Sequence, residues 1–436
     1  MTDYIVAIDL GTSHITGIVG EKKPDGKFSV VACETEDPAS CIRRGIIYNR
    51  DNTEACVRRL INKLESYLKG DYIDKIYIGV NGQSLHTIDH VESKDIAEGE
   101  AVTNEDIEAL KKQCEGYKPD LQDVLDIVPA IYYMDGRKDS SPVGVPCRKF
   151  EAHYKLVVGR SSIRRDIANS IKNLAGTIVS PLALADAMLS REEKELGCAL
   201  VDFGAGVTTV TVYKNGNLIH MSVIPLGGNL ITRDITSLHL TEAEAENIKK
   251  KYGSAILQKE DEEAVVNVDM DGSNREIGIK DLNAIVEGRA KEIVENVYAR
   301  INEAVDIKSL GSGIVLAGCT SELKNLPELV KEKCKTTVRH STIRRDLLRD
   351  SDEILGNPLY MTAISLMLKG TEQCVMRTMV IVDGNGEDNK PKPIETKDDS
   401  RGGFFKRKKN APVKEKSQSD KEDKSGGFWG KLFEES

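Results

Sequence analysis

The chain has 436 residues, 39% of them hydrophobic and 30% charged, enough for two lobes with separate cores. A formal net charge of −9 speaks against nucleic acid as a partner, since a general binder would show a basic face or stripe. The nine cysteines form no Cys-x-x-Cys pair and no metal-type spacing, so they read as buried thiols of a reducing compartment. MTDYIVAIDL lacks the basic segment of a signal peptide and no apolar run reaches a membrane span, so any membrane contact is expected to be peripheral.

In chain order, YIVAIDL (4–10), HITGIVGE (14–21) and KFSVVACE (27–34) are β-rich runs joined by glycine-containing turns, one of them Pro-Asp-Gly at 24–26. A helix is predicted over 52–69, with Ala55, Leu60, Ile61, Leu64, Tyr67 and Leu68 on one face. DKIYIGVNG (74–82) reads as a buried strand entering a loop. Residues 82–159, polar and strand-poor at first and then apolar, suit a small inserted α+β subdomain. CALVDFGAG (198–206) then repeats IVAIDLGTS (5–13), which sets Asp202 on Asp9 and Gly204 on Gly11. TTVTVYKNG (208–216) and LIHMSVIPLG (218–227) supply the matching second and third strands.

A charged, helical region at 241–305 is expected to be a second insertion, on the opposite lobe. GIVLAGCTSELKNL (313–326) predicts an apolar strand, a glycine turn and a helix started by a serine. From Asp383 onward 13 Lys/Arg stand against 12 Asp/Glu and apolar periodicity ends, so 383–425 reads as a disordered linker.

The repeated loops carry the candidate chemistry. A tight turn after a buried strand aims backbone N–H groups at phosphate oxygens, and glycine lets the backbone come close. Gly11 with the hydroxyls of Thr12 and Ser13, and Gly204 with Gly206, would clamp the phosphates of one nucleotide between the lobes. Asp9 and Asp202 would hold Mg2+ through its water shell. One Asp-x-Gly-Thr alone is also an ordinary β-turn; two copies in matching strand contexts favour the phosphate reading. Gly318 opens either a helix N-terminus offered to an anion or ribose, or a plain βα unit. Glu246 and Lys249, three apart on one helix face, make either a surface ion pair or a contact with ribose and base.

DLGTS (9–13), DFGAG (202–206), LGG (226–228), AENIK (245–249), LAG (316–318) and NPLYMTA (357–363), in that order, resemble the motif series of the actin, sugar-kinase and heat-shock-chaperone superfamily. Within it the chain resembles the FtsA family, bacterial division proteins that attach FtsZ filaments to the membrane. SREEKELGCALVDFG (190–204), IPLGGNLITRDI (224–235) and AENIKKKYGSA (245–255) carry the likeness most closely. It spans roughly residues 3–370 plus the tail tip.

The resemblance implies an α/β, actin-like two-lobed fold of duplicated ribonuclease-H-like domains with an inserted α+β subdomain and a disordered C-terminal tail. The first lobe would comprise 1–81, 160–185 and 355–382, the insertion 82–159, and the second lobe 186–354 with 236–305 as its peripheral subdomain. It implies ATP and Mg2+ as cofactors, with Gly227, Gly228 and Gly318 joining the nucleotide contacts. It also implies actin-like filaments of the chain itself, FtsZ and later divisome proteins as partners, and a place on the cytoplasmic face of the cell membrane at the division site.

Three departures from the family pattern bear on turnover. Val207 stands where relatives have a hydroxyl, Cys319 where the adenosine motif has a second glycine, and VSPLALADAML (179–189) offers Ser180 where relatives carry a water-orienting Gln or Glu. Binding with slow or absent hydrolysis is therefore expected. A sugar-type kinase of the same fold is the alternative, but no residue can be nominated as its base; a chaperone would need a substrate domain after the body.

At the tail, Phe428, Trp429, Leu432 and Phe433 form one stripe of a short helix over 426–436, an interfacial anchor for the inner membrane or a ligand for a protein groove. GGFFKRKK (402–409) adds aromatics and four consecutive basic residues that anionic headgroups would attract. One such tail is marginal, and an assembled filament presenting many would bind through avidity.

Overall fold

The computed structural model describes residues 3–38, 41–270, 273–349 and 352–377. The expected linker and terminal helix, with Phe428, Trp429, Leu432 and Phe433, lie outside the described residues.

The chain opens on an antiparallel meander, β1 (Asp3–Leu10), β2 (Ile15–Lys22) and β3 (Phe28–Glu36). Val6, Ala7 and Ile8 on β1 are all fully buried, so both faces of that strand are covered. A miniature hairpin, β4 (Ile42–Arg43) with β5 (Ile46–Ile47), leads to α1 (Arg50–Glu65). Asn49 caps α1 by accepting from the Asn52 N–H at 3.0 Å. The helix stops four residues short of the expected 69, and its buried stripe is Thr53, Cys56, Val57, Leu60 and Leu64. Tyr67 stays half exposed, its hydroxyl 2.6 Å from Glu34 Oε1. After β6 (Tyr72–Ile73), β7 (Ile76–Val80) runs parallel to β1.

The next stretch is richer in strands than its composition predicts. β8 (His86–Asp95), α2 (Asn104–Gly116), β9 (Gln122–Met134), β10 (Arg137–Asp139) and β11 (Lys149–Arg160) form an antiparallel sheet with a core of its own, built on Leu110, Cys114, Phe150 and Leu156. The chain returns to the first sheet through α3 (Ser162–Ser170) and β12 (Leu174–Val179), then continues into α4 (Ser180–Met188) and α5 (Arg191–Leu196).

The second lobe repeats the first. β13 (Cys198–Phe203), β14 (Thr208–Lys214) and β15 (Asn217–Ile224) form the meander, followed by α6 (Gly228–Ile235) and α7 (Glu242–Tyr252). The region expected to be helical up to 305 also holds a hairpin, β16 (Val265–Met270) with β17 (Ser273–Gly278), ahead of α8 (Ile279–Ala304). β18 (Ile314–Ala317), α9 (Leu326–Cys334) and β19 (Val338–His340) complete the lobe, and α10 (Asp352–Gly356), α11 (Met361–Lys369) and β20 (Val375–Met376) follow.

Strand order makes the duplication explicit. The first sheet reads β3-β2-β1-β7-β12, and the corresponding part of the second reads β15-β14-β13-β18-β19. The central strand of each pairs antiparallel with the second strand of its meander and parallel with a later strand. Registers match too: Asp9 lies opposite Thr16, and Asp202 opposite Thr209. The second sheet has nine strands because β8 meets β15 at one position, His86 opposite Ser222, so the inserted strands extend it at that edge.

Candidate functional site

Each central strand ends one residue past an aspartate and turns through a glycine loop. On the second loop the Gly204 N–H donates to Val207 O at 3.0 Å, closing the turn. Helix α6 packs end-on against it: Gly228 N–H donates to Gly204 O at 3.0 Å and Asn229 N–H to Ala205 O at 2.8 Å. These first amides of α6 are therefore spent on loop carbonyls. The approach depends on absent side chains, since a Cβ on Gly227 would sit 2.5 Å from Ala205 O and one on Gly228 2.4 Å from Thr320 Oγ1.

The two loops touch. A Cβ on Gly206 would lie 2.5 Å from Thr12 Oγ1, and Thr12 Oγ1 accepts the Gly45 N–H at 3.2 Å. Ser13 Oγ stands 3.1 Å from His14 Nδ1. Gly318 takes φ +83° and ψ 154°, and a Cβ there would come within 2.3 Å of Asp202 Oδ1 and 2.5 Å of Phe203 O. The expected serine-started helix is absent at this point. Cys319–Glu322 form a single 3-10 turn, and α9 starts at Leu326 because Pro327, which cannot sit inside a helix, occupies its first turn.

Asp9 and Asp202 are half-buried, and neither carboxylate has a hydrogen-bond or ion-pair partner among the described residues. Burial, with the Asp202 charge adding to it, pushes Asp9 up to about 7, and burial pushes Asp202 up to about 6. Two such carboxylates with no basic neighbour are the donor set of a hard cation, which fits magnesium held through its waters. Ser180, only 2% exposed, opens α4 beside them, and its hydroxyl has no partner among the described residues. A Cβ on Gly79 would lie 2.6 Å from Ser180 Oγ and 3.3 Å from Asp9 Oδ1, so the fold brings the Asp9 carboxylate into the neighbourhood of the serine.

In front of the loops opens a cleft of about 810 Å³, lined by Thr12, Ser13, Gly206, Gly228, Glu246 and Lys249 among others. Its lining holds seven Lys/Arg against four Asp/Glu, a positive surplus suited to a polyanion on a chain of net charge −9.

Glu246 and Lys249 resolve into a network within the cleft wall. Lys249 Nζ donates to Glu246 Oε2 at 2.5 Å, to Thr232 Oγ1 at 2.8 Å and to Gly228 O at 3.2 Å. An ammonium has three protons, so none is left for a ligand. Burial lowers the Lys249 pKa more than Glu246 raises it. The lysine thus braces α7 on α6, while Glu246 keeps Oε1 towards Lys250 at 3.3 Å.

All twelve nucleotide-site candidates fall around this cleft or the loops behind it. Sequence reading missed Gly79, Thr232, Thr320, Arg43 and Arg44, which the fold adds to the same place. The Arg-Arg-Gly run between two short apolar pairs was the available signal for the last two. Of the nine cysteines, all free thiols, seven are buried and Cys33 is half-buried, whereas Cys319 is exposed on the cleft wall.

Comparison with known proteins follows the same lines. Residues 199–365 match the family described as cell division protein FtsA. The chain is 33% identical over 382 residues to the cell division protein FtsA of Porphyromonas gingivalis, covering 86% of this chain and 80% of that one. It is 28% identical over 375 residues to that of Bacillus subtilis, covering 84% and 83%. Among solved structures, the PilM–PilN type IV pilus biogenesis complex covers 84% of this chain and 98% of its own at 14% identity, with a TM-score of 0.58. With the duplicated sheets, this likeness makes the fold actin-like.

Proposed function

The chain belongs to the FtsA family of cell division proteins, and from that premise we propose that it is an ATP-binding, filament-forming adaptor tethering FtsZ filaments to the cytoplasmic membrane. It recruits later divisome proteins and works at the division site. The observation that carries the nucleotide part is the pair of carboxylates, Asp9 and Asp202, without counter-ions among the described residues, ending equivalent strands behind two glycine loops in contact. Asp9 and Asp202 would hold the magnesium waters, and the amides around Gly11 and those of Ala205 and Gly206 would receive the phosphates, the Gly204 N–H being taken by Val207 O. Held there, magnesium would supply the positive charge that lets the two carboxylates and a polyphosphate share one site.

Binding from both lobes makes the nucleotide a wedge that sets how they face each other. Hydrolysis is slow or absent, because Val207 brings no hydroxyl to the second loop and the buried hydroxyl of Ser180 replaces a carboxylate or amide. The sugar-kinase alternative is not favoured: of the carboxylates that line the cleft, Glu246 is engaged by Lys249 and Thr232, and nothing singles out another as a base for a substrate hydroxyl. The lobe, insertion and linker boundaries given above are part of this reading.

Membrane contact falls to the tail stripe of Phe428, Trp429, Leu432 and Phe433; among the described residues no helix is long and apolar enough to cross a membrane. Two measurements test the reading. Asp9→Ala should abolish the Mg-ATP-dependent rise in melting temperature, and Trp429→Glu should abolish sedimentation with anionic liposomes while leaving ATP binding intact. Undiminished stabilisation in the first variant refutes the site, and undiminished sedimentation in the second refutes the anchor.

A further inference from the structure

The cations around the cleft are unequally committed. Lys249 and Lys250 are paired with Glu246. Arg43 and Arg44 make neutral contacts instead: the Arg43 guanidinium lies 3.7 Å over the centre of the Tyr48 ring, and Arg44 Nη1 donates to Gln83 Oε1 at 3.2 Å. Neither forms an ion pair among the described residues, and both are exposed.

Their placement is held by the backbone. They sit on the β4–β5 hairpin, whose Gly45 N–H is bonded to Thr12 of the first loop. A Cβ on Gly45 would stand 3.0 Å from the Gly82 nitrogen, so the turn is wedged against the loop leaving β7. Arg44 and Gly45 take consecutive left-handed conformations, φ +50° and +72°. For an arginine that is a costly state which the surrounding contacts must sustain, and such positions gather at ligand sites. The hairpin therefore delivers two guanidinium groups without ion-pair partners among the described residues to the cleft, beside the loop of Thr12 and Ser13.

We infer that Arg43 and Arg44 bind the outermost phosphate of a nucleoside triphosphate and make the cleft prefer the triphosphate to the diphosphate. This rests on the nucleotide reading above and adds two residues and a selectivity to it. Guanidinium groups form charge-assisted, fork-like hydrogen bonds with phosphate oxygens. The outermost phosphate carries the charge that a diphosphate lacks. Because Gly45 shares the turn with Arg44 and is bonded to Thr12, engagement of that phosphate also bears on the hairpin surface carrying Tyr48, which is 65% exposed.

The test is calorimetric titration of the full chain with Mg-ATP and with Mg-ADP. Wild type is compared with Arg43→Gln/Arg44→Gln and with the charge-keeping Arg43→Lys/Arg44→Lys. The glutamine pair should lose about tenfold in ATP affinity and less than about threefold in ADP affinity, with a shallower salt dependence for ATP. The lysine pair should recover part of the ATP loss. An unchanged ATP-to-ADP preference in a glutamine variant that melts like wild type overturns the inference and leaves the nucleotide reading standing. Wild type that binds neither nucleotide overturns the nucleotide reading, and the inference with it.

Discussion

Gly318→Ala is the sharpest perturbation the geometry allows. The residue stands at φ +83° and ψ 154°, a region essentially reserved for glycine, where an L side chain costs about 1–3 kcal/mol. The added methyl would also lie 2.3 Å from Asp202 Oδ1 and 2.5 Å from Phe203 O, one a strand carboxylate and the other backbone. Neither is the far end of a flexible side chain, so β13 or the 3-10 turn must move, at about another 1–3 kcal/mol. A total of about 3 kcal/mol or more corresponds to a fall of roughly 6–12 °C in melting temperature for a lobe of this size. Gly26→Ala provides the control: it has φ +84° with nothing within 4 Å of the added methyl. With a conformational cost of about 1 kcal/mol, the low end for an open turn, it should fall only by about 2–4 °C. Thermal unfolding followed by circular dichroism gives both numbers, and Mg-ATP titration should show weakened binding in Gly318→Ala only. Equal shifts in the two variants would refute the close approach of Gly318 to Asp202, and with it the arrangement of the second loop.

Three further outcomes are expected. Lys249→Met leaves Glu246 facing Thr232 and Lys250 without its main partner, and should cost about 2–3 kcal/mol in urea unfolding, the partial exposure of Glu246 moderating the loss. Asp106, which closes the capping box of α2, is held down to about 2 from the ordinary 3.8 by hydrogen bonds from Lys94 and Thr103. A depressed carboxyl stabilises the fold above its unfolded value and loses that contribution as pH falls through its folded value. Asp106→Asn should therefore cost about 1–2 kcal/mol at pH 7 by urea unfolding, and the difference should fade as pH drops from about 4 to about 2. Cys319 is exposed on the cleft wall, yet local desolvation and the Asp202 charge push its thiol up to about 11. Iodoacetamide should label it before the buried cysteines, slowly at neutral pH and faster as pH rises, with saturating Mg-ATP protecting it by mass spectrometry. Labelling that ignores the nucleotide would place the ligand elsewhere.

How far the sequence could be read depends on whether the deciding contact was local. Both meanders were legible because each pairs an apolar run with the next across a glycine turn, and the repeat 193 residues on made Asp202 the equivalent of Asp9. The start of α9 was also legible in principle: Pro327 fixes it, and the serine at 321 was the weaker signal. The β16–β17 hairpin was obscured by the acidic residues before it and by its own charged positions. What local pattern cannot supply is the partner arriving from elsewhere. The spacing of Glu246 and Lys249 foretold their pairing, but only the approach of α6 buries the lysine and uses its third proton on Gly228. The two-residue strands of the β4–β5 hairpin are too short to show periodicity, so Arg43 and Arg44 joined the site only through the Gly45–Thr12 bond. The same reasoning separates the two roles within the site. Residues fixed by the repeat supply the glycine loops and carboxylates common to both lobes, which the proposed function assigns to the phosphates and magnesium. Those fixed by tertiary contact on one lobe alone, the arginine hairpin and the α6–α7 brace, have no counterpart in the repeat and break the symmetry of the two lobes.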